Sequence, residues 1–273
     1  MGTLYLIATP IGNLEDLSPR AARMLGEVDL IAAEDTRHTR KLLSHFNINT
    51  PLTSYFEHNK LSKLDTVLAA LRRGDVALVS DGGMPAISDP GYELLHAALA
   101  AGHEVRPLPG PSALLAALAV SGLPTDAFVY LGFLPRKPLE RRRLLAENVS
   151  DRRTLVAFES PHRLRAALVD IEAELGERPL AVARELTKLY EEIFRGAVSA
   201  AREYFAQVPV RGEVTIVIGG CIESVQEKWS PEQVRAALQA ALQAGESRSQ
   251  AAKEVAQQSG WPRREVYRLE LPD

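Results

Sequence analysis

The sequence predicts two α/β domains followed by a short helical tail. A chain of 273 residues suits about two domains of roughly 150 residues each. Short apolar runs alternate with helical patterns along most of the chain, which is typical of α/β domains built around a mostly parallel sheet. Only helical patterns follow residue 230. We therefore predict domains at residues 1–120, 121–225 and 226–273.

The first half contains strong strand patterns separated by clear helix signals. Ser18 and Pro19 form the pattern of an N-cap and a first helical residue. Residues 61–72 place four leucines on one helix face, and Gly74 ends that helix. The predicted strands lie at residues 4–8, 30–33, 76–79 and 105–108, with a weaker one at 51–56.

The second half repeats the alternation more loosely, after turn residues at 121–125. Strands are predicted at residues 128–132, 154–158, 180–183 and 214–218, and helices at 164–175 and 198–205. In the tail, Ser230 and Pro231 begin a helix, and helices at 249–258 and 263–269 follow. The small and apolar spacing of the tail resembles a helix-turn-helix, and the alternative is an ordinary helical cap.

Composition excludes several classes of protein. A hydrophobic content of 46% and a net charge of -3 exclude a disordered chain and argue against a general polycation. A single cysteine, Cys221, excludes an internal disulfide, and no histidine has metal-ligand spacing, so we expect no metal site. No membrane-spanning run or secretory signal is evident, so we expect a soluble cytoplasmic protein.

Three loops follow predicted strands, where open α/β sheets bind ligands. The first loop, residues 8–13, lacks the dinucleotide-binding glycine pattern. The second loop, residues 79–91, is rich in glycine, proline and aspartate, and glycine lets a ligand approach the backbone. The third loop, residues 108–112, leads into a helix whose N-terminus suits an anion. Together they predict a ligand cleft, although each loop alone could be an ordinary turn or cap.

Polar and basic segments suggest where a second substrate would bind. Mixed polar clusters lie at residues 34–40, 57–59 and 184–192, and each could instead be a solvated face or an internal ion-pair network. The basic segment, residues 136–153, has seven basic and three acidic residues, a net charge of +4. Such a charge suits a phosphate backbone, and the alternative is a solvated helix.

Several long motifs occur together in a fixed order. They are L-Y-L-I-A-T-P-I-G-N-L-E-D, A-A-E-D-T-R-H-T-R-K-L-L, S-D-G-G-M-P-A-I-S-D-P-G, P-L-P-G-P-S-A, S-P-H-R-L, R-E-L-T-K-L-Y-E-E and R-G-E-V-T-I-V-I-G-G. With these motifs the chain resembles the ribosomal RNA small subunit methyltransferase I family of the tetrapyrrole methylase superfamily. The resemblance is strong over about residues 3–220 and looser in the tail.

The resemblance implies two α/β domains of the tetrapyrrole methylase type, with a cleft for S-adenosylmethionine between them. It implies 2′-O-methylation of a cytidine in the decoding region of small-subunit ribosomal RNA, by a homodimer. The substrate would be that RNA or the assembled small subunit. The family's loop usually reads S-D-A-G-T-P, whereas this chain has S-D-G-G-M-P, so Met84 lacks a hydroxyl that could donate a hydrogen bond.

The resemblance and the chemistry together name candidate site residues. The implied donor site comprises Pro10, Ser80, Asp81, Gly82, Gly83, Met84, Ile87, Ser112, Ala113, Phe158, Ala183, Gly212, Glu213 and Thr215. The expected RNA-binding residues are Arg37, His38, Glu57 and Asn59, with Arg136, Lys137, Arg141, Arg142 and Arg143 of the basic segment. The candidate bases are Glu34, Asp35, His58, Glu185 and Lys188, with Glu57 a further one, and Lys188 would need a lowered pKa.

Two other functions fit the same sequence. One is a methyltransferase of the same fold that acts on a tetrapyrrole or another small molecule, for which neither the basic segment nor the tail is needed. The other is a helix-turn-helix regulator that uses the cleft to sense a ligand. In the regulator, we expect Arg248, Arg263 and Arg264 of the tail to bind DNA.

Overall fold

The structure is a computed structural model that describes residues 2–56, 60–88, 91–221, 229–259 and 261–269. The chain forms two compact units, Met1–Gly220 and Cys221–Asp273. Two five-stranded sheets lie in the first unit, and three helices form the described part of the second. The predicted fold class, α/β with a helical C-terminal segment, is therefore confirmed.

The first sheet is parallel and has the order β3-β2-β4-β1-β5. Alternating residues of its strands face two separate apolar cores: Leu4 and Leu6 pack on one face, and Tyr5 and Ile7 on the other. A single-turn 3-10 helix at Leu14–Asp16 follows the first loop. The strands are β1 (Thr3–Ile7), β2 (Leu30–Ala33), β3 (Leu52–Ser54), β4 (Val76–Val79) and β5 (Glu104–Leu108), and the helices are α1 (Pro19–Glu27), α2 (Thr36–His45), α3 (Lys60–Leu71) and α4 (Tyr92–Ala100).

The second sheet has the order β6-β7-β10-β8-β9, and only the β6–β7 pair is parallel. Its largest core lies under α6, α7 and α8, on the face opposite α5. The strands are β6 (Phe128–Phe133), β7 (Thr154–Glu159), β8 (Pro179–Arg184), β9 (Glu192–Ala197) and β10 (Val214–Ile218), and the helices are α5 (Ala113–Val120), α6 (Pro138–Glu147), α7 (Leu164–Leu175) and α8 (Val198–Gln207).

Helix α5 joins the two sheets. It begins directly after the third loop, but it packs on β7, β8 and β10 of the second sheet through Ala117 and Leu118. Arg195 of β9 donates through Nε to the carbonyl oxygen of Val120 at 2.8 Å, which fixes the end of the helix. Although α5 is apolar on all sides, only this side is buried, and Leu115 and Val120 remain exposed. Its N-terminus consequently lies at the junction of the two sheets.

Among the α-helices and strands, α2, α4 and β9 were not predicted from the sequence, and α6 was expected only as the solvated-helix alternative for the basic segment. Polar residues dominate the exposed sides of α2 and α6, so both were interpreted as charged clusters. Strand β9 is an edge strand whose first residue, Glu192, belongs to a polar cluster. Its burial pattern is intermediate throughout, because it pairs on one side only. The predicted caps Ser18, Ser112 and Ser230 are confirmed, each accepting a backbone hydrogen bond.

The tail consists of α9 (Pro231–Gln243), α10 (Arg248–Ser259) and α11 (Arg263–Arg268). Val234, Leu238 and Val266 belong to its own apolar core. Arg248 donates to the carbonyl oxygens of residues 267 and 269, and Arg263 donates to Ser249. These two arginines therefore hold the tail together.

In the part of the chain that the structure describes, no helix is both long and apolar enough to cross a membrane.

Candidate donor-binding and catalytic site

The first and second loops are bridged at the carboxyl end of the first sheet. Thr9 and Gly83 exchange both backbone hydrogen bonds, at 3.0 and 2.9 Å. The hydroxyl of Thr9 also donates to the carbonyl oxygen of Ser80 at 3.1 Å. Gly83 has a φ of +92°, and a Cβ atom at Gly82 would lie 3.2 Å from the carbonyl oxygen of Pro10. The close approach of these loops therefore depends on glycine at both positions.

The third loop reaches the same place from β5. A Cβ atom at Gly110 would lie 3.0 Å from that of Ala8, and one at Gly83 would lie 3.8 Å from the carbonyl oxygen of Pro111. Ser112 caps α5 by accepting a hydrogen bond from the backbone N–H three residues on, at 3.4 Å. The unpaired N–H groups of this first turn favour an anion such as a carboxylate. The structure thus brings the three predicted loops together.

A fourth loop, residues 185–191 between β8 and β9, contacts the first loop. The backbone N–H of Asn13 donates to Thr187 Oγ1 at 3.1 Å. A Cβ atom at Gly12 would lie 2.5 Å from Lys188 Cγ and 2.7 Å from Thr187 Oγ1, so a larger residue at Gly12 would force the fourth loop away. Because the fourth loop extends from the second sheet, residues of both sheets meet at this site.

Three of the expected donor-site residues stand side by side in the second sheet. Thr215 of β10 pairs with Phe158 of β7 on one side and with Ala183 of β8 on the other. Side chains two positions apart on a strand share a face, and this face packs against α5. The row therefore lies on the α5 side of the sheet, as do the third loop and the start of that helix.

Glu34, Asp35 and Asp81 link the loops that follow β2 and β4. The backbone N–H of Asp35 donates to Asp81 Oδ1 at 3.0 Å, and that of Asp81 donates to Glu34 Oε2 at 3.3 Å. Asp35 also caps α2 and pairs with the Arg37 guanidinium at 3.0 Å. Hydrogen bonds from the side chain and backbone of Arg37 lower the pKa of Asp35 from 3.8 to about 2. Asp35 is therefore ionised at neutral pH and is a weak proton acceptor.

Glu185, Lys188 and Glu213 form an ion-pair cluster in the second sheet's loops. Lys188 Nζ lies 2.9 Å from Glu185 Oε1 and 3.3 Å from Glu213 Oε2. Burial disfavours the charged form of Lys188, but the two carboxylates outweigh it and raise the pKa of Lys188. A lysine base needs the opposite shift. Lys188 could act as a base only with a lowered pKa, and its pKa is raised instead.

The fourth loop has an unusual backbone. Glu185 has a φ of +51° and Thr187 a φ of +67°, which residues other than glycine seldom adopt. The backbone N–H of Glu185 donates to the carbonyl oxygen of Glu213 at 3.1 Å. The Glu185 carboxylate fills the space beside Gly212, where a Cβ atom would lie 1.8 Å from Oε1. Such conformations persist where neighbouring structure fixes them, and they cluster at functional sites.

The second loop also contacts the second sheet. Ser88 Oγ and the hydroxyl of Tyr130, in β6, lie 2.6 Å apart. Tyr130 packs edge-on against Phe158, with ring centroids 5.3 Å apart. Met84 packs into the core beside α3 and α4, so apolar packing replaces the hydroxyl usual at this position in the family loop. Ile87 of the same loop is half exposed.

Comparison with known proteins identifies the family. A family model described as Tetrapyrrole (Corrin/Porphyrin) Methylases matches residues 3–202. The chain belongs to this family. A second model, described as RsmI C-terminal HTH domain, matches residues 229–271, which comprise most of the predicted helical tail.

Relatives of this tetrapyrrole methylase carry the name Ribosomal RNA small subunit methyltransferase I. The relative from Synechocystis sp. is 49% identical over 99% of this chain and 98% of its own. The relative from Bacillus subtilis is 41% identical over 98% of this chain and 93% of its own. A relative from Thermotoga maritima is 49% identical, and the match covers 81% of this chain and 99% of that one.

Solved structures of similar fold are small-molecule methylases of lower identity. A uroporphyrin-III-C-methyltransferase from Thermus thermophilus has 21% identity and a TM-score of 0.55, and covers 80% of this chain and 94% of its own. A cobalt precorrin-4 methyltransferase has 17% identity and a TM-score of 0.59, with the same coverage. At these identities the likeness concerns the fold alone.

Much of the charge of the basic segment is engaged in ion pairs within the protein. Arg141 is buried and donates to Asp170 at 2.5 Å, so the prediction that Arg141 contacts RNA is wrong. Arg142 pairs with the other carboxylate oxygen of Asp170 at 2.6 Å. Lys137 and Arg143 are exposed but pair with acids of their own helix. A count of charges cannot show this, because Asp170 comes from α7 and lies outside the segment.

Three of the other substrate-side candidates belong to the described residues, and all three are exposed. Arg37 and His38 are exposed on α2, and Arg136 is exposed before α6. Glu57, His58 and Asn59 lie outside the described residues, as do positions 89 and 90 of the second loop. In the described ranges, no group of three or more histidine, cysteine or acidic side chains is arranged to hold a metal ion.

Several site contacts involve residues that the sequence did not single out. They are Gly12, Ser88, Gly110, Tyr130 and Thr187. The glycines lie inside loops that were recognised, so their positions beside the first strand could have identified them. Thr187 lies in the recognised polar cluster 184–192 and Tyr130 in a predicted strand, but local sequence carries no signal that they meet the first and second loops.

Proposed function

We propose that the chain transfers a methyl group from S-adenosylmethionine to small-subunit ribosomal RNA, at the 2′-hydroxyl of a cytidine in the decoding region. The convergence of the glycine-containing loops at the carboxyl ends of β1, β4 and β5 carries the proposal. This edge of an open α/β sheet is where such folds bind ligands. The relatives named for ribosomal RNA methylation match at 41–49% identity and support the choice of substrate.

The residues at this edge fit a methyl donor that is an amino acid joined to a nucleoside. The backbone at Gly82 and Gly83 has no side chain to block a close ligand. The first turn of α5, at Ser112 and Ala113, offers N–H groups to a carboxylate. Asp81 is exposed and offers carboxylate oxygen to an ammonium or hydroxyl group. On the second sheet, the row containing Phe158 supplies apolar surface for a base.

The chemistry requires accurate positioning of a weak nucleophile. S-adenosylmethionine, when bound, supplies a methyl group made electrophilic by a positively charged sulfur. A ribose hydroxyl attacks poorly at neutral pH, so the protein must position it, deprotonate it, or do both. Glu34 and Glu185 remain the candidate bases among the described residues, since Asp35 is too acidic and Lys188 is held protonated. The alternative is positioning alone, with the proton lost to water.

Two substitutions distinguish these mechanisms. If Glu34 or Glu185 is the base, changing that residue to Gln should lower kcat about 10²–10⁴-fold, while the affinity for S-adenosylmethionine stays near that of the wild type. If positioning alone operates, both variants should keep kcat within about tenfold. Single-turnover methyl transfer and calorimetric donor binding, measured on each variant, separate these outcomes.

Ribosomal RNA fits better than a small molecule or DNA. The tetrapyrrole-acting proteins share only the fold at 17–21% identity, whereas the rRNA-named relatives match this chain over nearly its full length. For a DNA-binding regulator, the tail would have to present its arginines. Two of the three arginines named for DNA binding, Arg248 and Arg263, are instead engaged within the tail, whereas Arg264 is exposed. We also propose that the protein is a cytosolic homodimer. Sedimentation of the full chain would test whether it is a dimer.

The decisive experiment is transfer of a labelled methyl group from S-adenosylmethionine to small ribosomal subunits that lack the modification. We expect label in the RNA, and mapping should place it on a cytidine ribose in the decoding region. Free small-subunit RNA and a tetrapyrrole serve as parallel substrates. Transfer to the tetrapyrrole without transfer to either RNA substrate would overturn the proposal.

A further inference from the structure

We propose that the exposed face of α2 binds the phosphate backbone of the RNA substrate. The inference rests on the proposed function and concerns how the RNA is held. Arg37, Arg40, Lys41 and Ser44 occur at positions i, i+3, i+4 and i+7, so they share one side of the helix. Among the described residues, these four line an open hollow of about 460 Å3. A hollow lined by three cations and a hydroxyl suits phosphate oxygens.

The charge of this face is largely uncompensated. The sequence has no acidic residue between Asp35 and Glu57. Arg37 pairs with Asp35 at 3.0 Å but remains highly exposed. Within the described ranges, no ion pair involves Arg40 or Lys41, and both are exposed. The opposite side of α2 is buried through Leu42 and Leu43, so the helix is fixed on the sheet and its cations face outward.

In the basic segment, by contrast, much of the positive charge is neutralised by ion pairs within the protein. Lys137, Arg142 and Arg143 each have an acidic partner within 3.1 Å, and Arg141 is buried against Asp170. Exposed cations without a partner give a stronger field for a polyanion than cations already paired. We therefore assign the phosphate contact to α2 rather than to α6.

The position of α2 relates this face to the candidate site. The helix begins after β2, and the backbone of its N-cap, Asp35, bonds to Asp81 of the second loop. From Arg37 to Ser44 the face extends about 10 Å at 1.5 Å per residue. That length is enough to contact consecutive phosphates of one strand. Backbone bound here would flank a nucleotide held at the loops.

The test uses the double variant Arg40→Ala/Lys41→Ala in the full chain. Its matched control is Arg72→Ala/Arg73→Ala, which removes two adjacent exposed cations. These residues follow the end of α3 and precede β4, at the amino ends of the strands of the same sheet. Methyl transfer to small ribosomal subunits lacking the modification is measured at several KCl concentrations, together with calorimetric binding of S-adenosylmethionine.

We expect the α2 variant to raise the KM for subunits about tenfold or more. Its slope of log KM against log salt should fall by roughly 1.4 to 1.8, at 0.7 to 0.9 for each lost phosphate contact. The control, the donor affinity and kcat at saturation should stay within about twofold of the wild type. A further variant, Arg40→Lys/Lys41→Arg, keeps both charges and should keep the wild-type slope.

The possible failures are distinguishable. If the wild type methylates subunits and the α2 variant has the same KM and salt slope, α2 does not bind the backbone, but the proposed function stands. If both double variants weaken binding equally, the effect is one of net charge, and the inference is overturned. If the wild type transfers no methyl group to RNA, the proposed function fails and takes this inference with it.

Discussion

Asp35 has two structural tasks that depend on Arg37. Its carboxylate caps α2 by accepting from the backbone N–H of Arg37 at 2.7 Å, and it also pairs with the guanidinium of that residue. Both contacts favour the ionised form, which places the pKa of Asp35 at about 2. Because this pKa is depressed, the stabilisation is complete above about pH 4. It is lost as the pH falls through about 2.

NMR titration of the side-chain carboxyl carbons tests this. Asp35 should titrate near pH 2 in the wild type and should move toward the ordinary value near 3.9 in Arg37→Ala. Asp151 is the internal control, because Arg153 two residues on pairs with it in the same way and its pKa is also about 2. Its titration should not change in Arg37→Ala. An Asp35 midpoint near 4 in the wild type would contradict the assigned contacts.

Gly212 is required by its neighbour as well as by its own backbone. Its φ is +76°, and Glu185 occupies the volume that a Cβ atom would need. Gly122 has a similar φ of +78°, but there the nearest atom to a Cβ would be 4.0 Å away. The two glycines therefore share the backbone conformation and differ in the space around them.

Gly122→Ala should lower the free energy of unfolding by about 1–2 kcal/mol, the strain of a positive φ. Gly212→Ala should lower it further and should also weaken binding of S-adenosylmethionine, because Glu185 and its ion pair with Lys188 must move. Urea unfolding and calorimetry measure both effects. Equal losses in the two variants, with donor affinity intact in both, would show that the contact with Glu185 is unimportant.

Helices α6 and α7 are joined by a buried ion pair. Both Arg141 and Asp170 are almost fully buried, and Arg141 bonds Asp170 Oδ2 through Nε at 2.7 Å and through a terminal nitrogen at 2.5 Å. Arg142 reaches the other oxygen from the surface. Loss of one partner leaves the other charge buried, which usually costs far more than loss of an exposed pair.

We expect Arg141→Ala to lower the free energy of unfolding by about 3 kcal/mol. Arg143→Ala is its matched control, since this exposed arginine of the same helix pairs with Glu147 on the surface, and it should cost less than about 1 kcal/mol. Chemical denaturation of both variants gives the comparison. Equal small losses would mean that Arg142 alone satisfies Asp170.

The elements that the sequence predicted are those with local signals. Serine caps mark α1, α5 and α9, and apolar runs mark the strands buried on both faces, such as β4 and β10. Helix α2 has a capping residue, Asp35, but its buried stripe comprises only Thr39, Leu42 and Leu43, so its apolar pattern is weak. Edge strand β9 is half exposed. For α2 and β9 the small buried surface gives a weak pattern, whereas α4, which was also missed, buries Leu94 and Ala98 and is not explained in this way.

The molecule as a whole divides at Gly220 into two units with separate cores. The relative from Thermotoga maritima matches this chain over 221 residues, which is 99% of that protein. A relative named Ribosomal RNA small subunit methyltransferase I is thus about as long as the first unit. The first unit of this chain contains all of the described residues that we place at the candidate site.

A chain truncated after Gly220 should therefore fold and bind S-adenosylmethionine with nearly wild-type affinity. Its methyl transfer to small subunits should stay within about tenfold of the full chain, because no core residue of the first unit is lost. Calorimetry and the transfer assay measure this. A truncated chain that folds but no longer binds the donor would show that the tail completes the site.

The sequence by itself determined the buried strands, the capped helices, the family and the loops of the candidate site. These follow from local periodicity, capping chemistry and motifs that stay together along the chain. Only the tertiary structure decided which loops meet, since Asn13 and Thr187 are 174 positions apart. It also decided that Arg141 is buried, while Arg40 and Lys41 are exposed and have no ion pair among the described residues. A side chain's charge is set by its type, but its partners are set by packing between segments far apart in sequence.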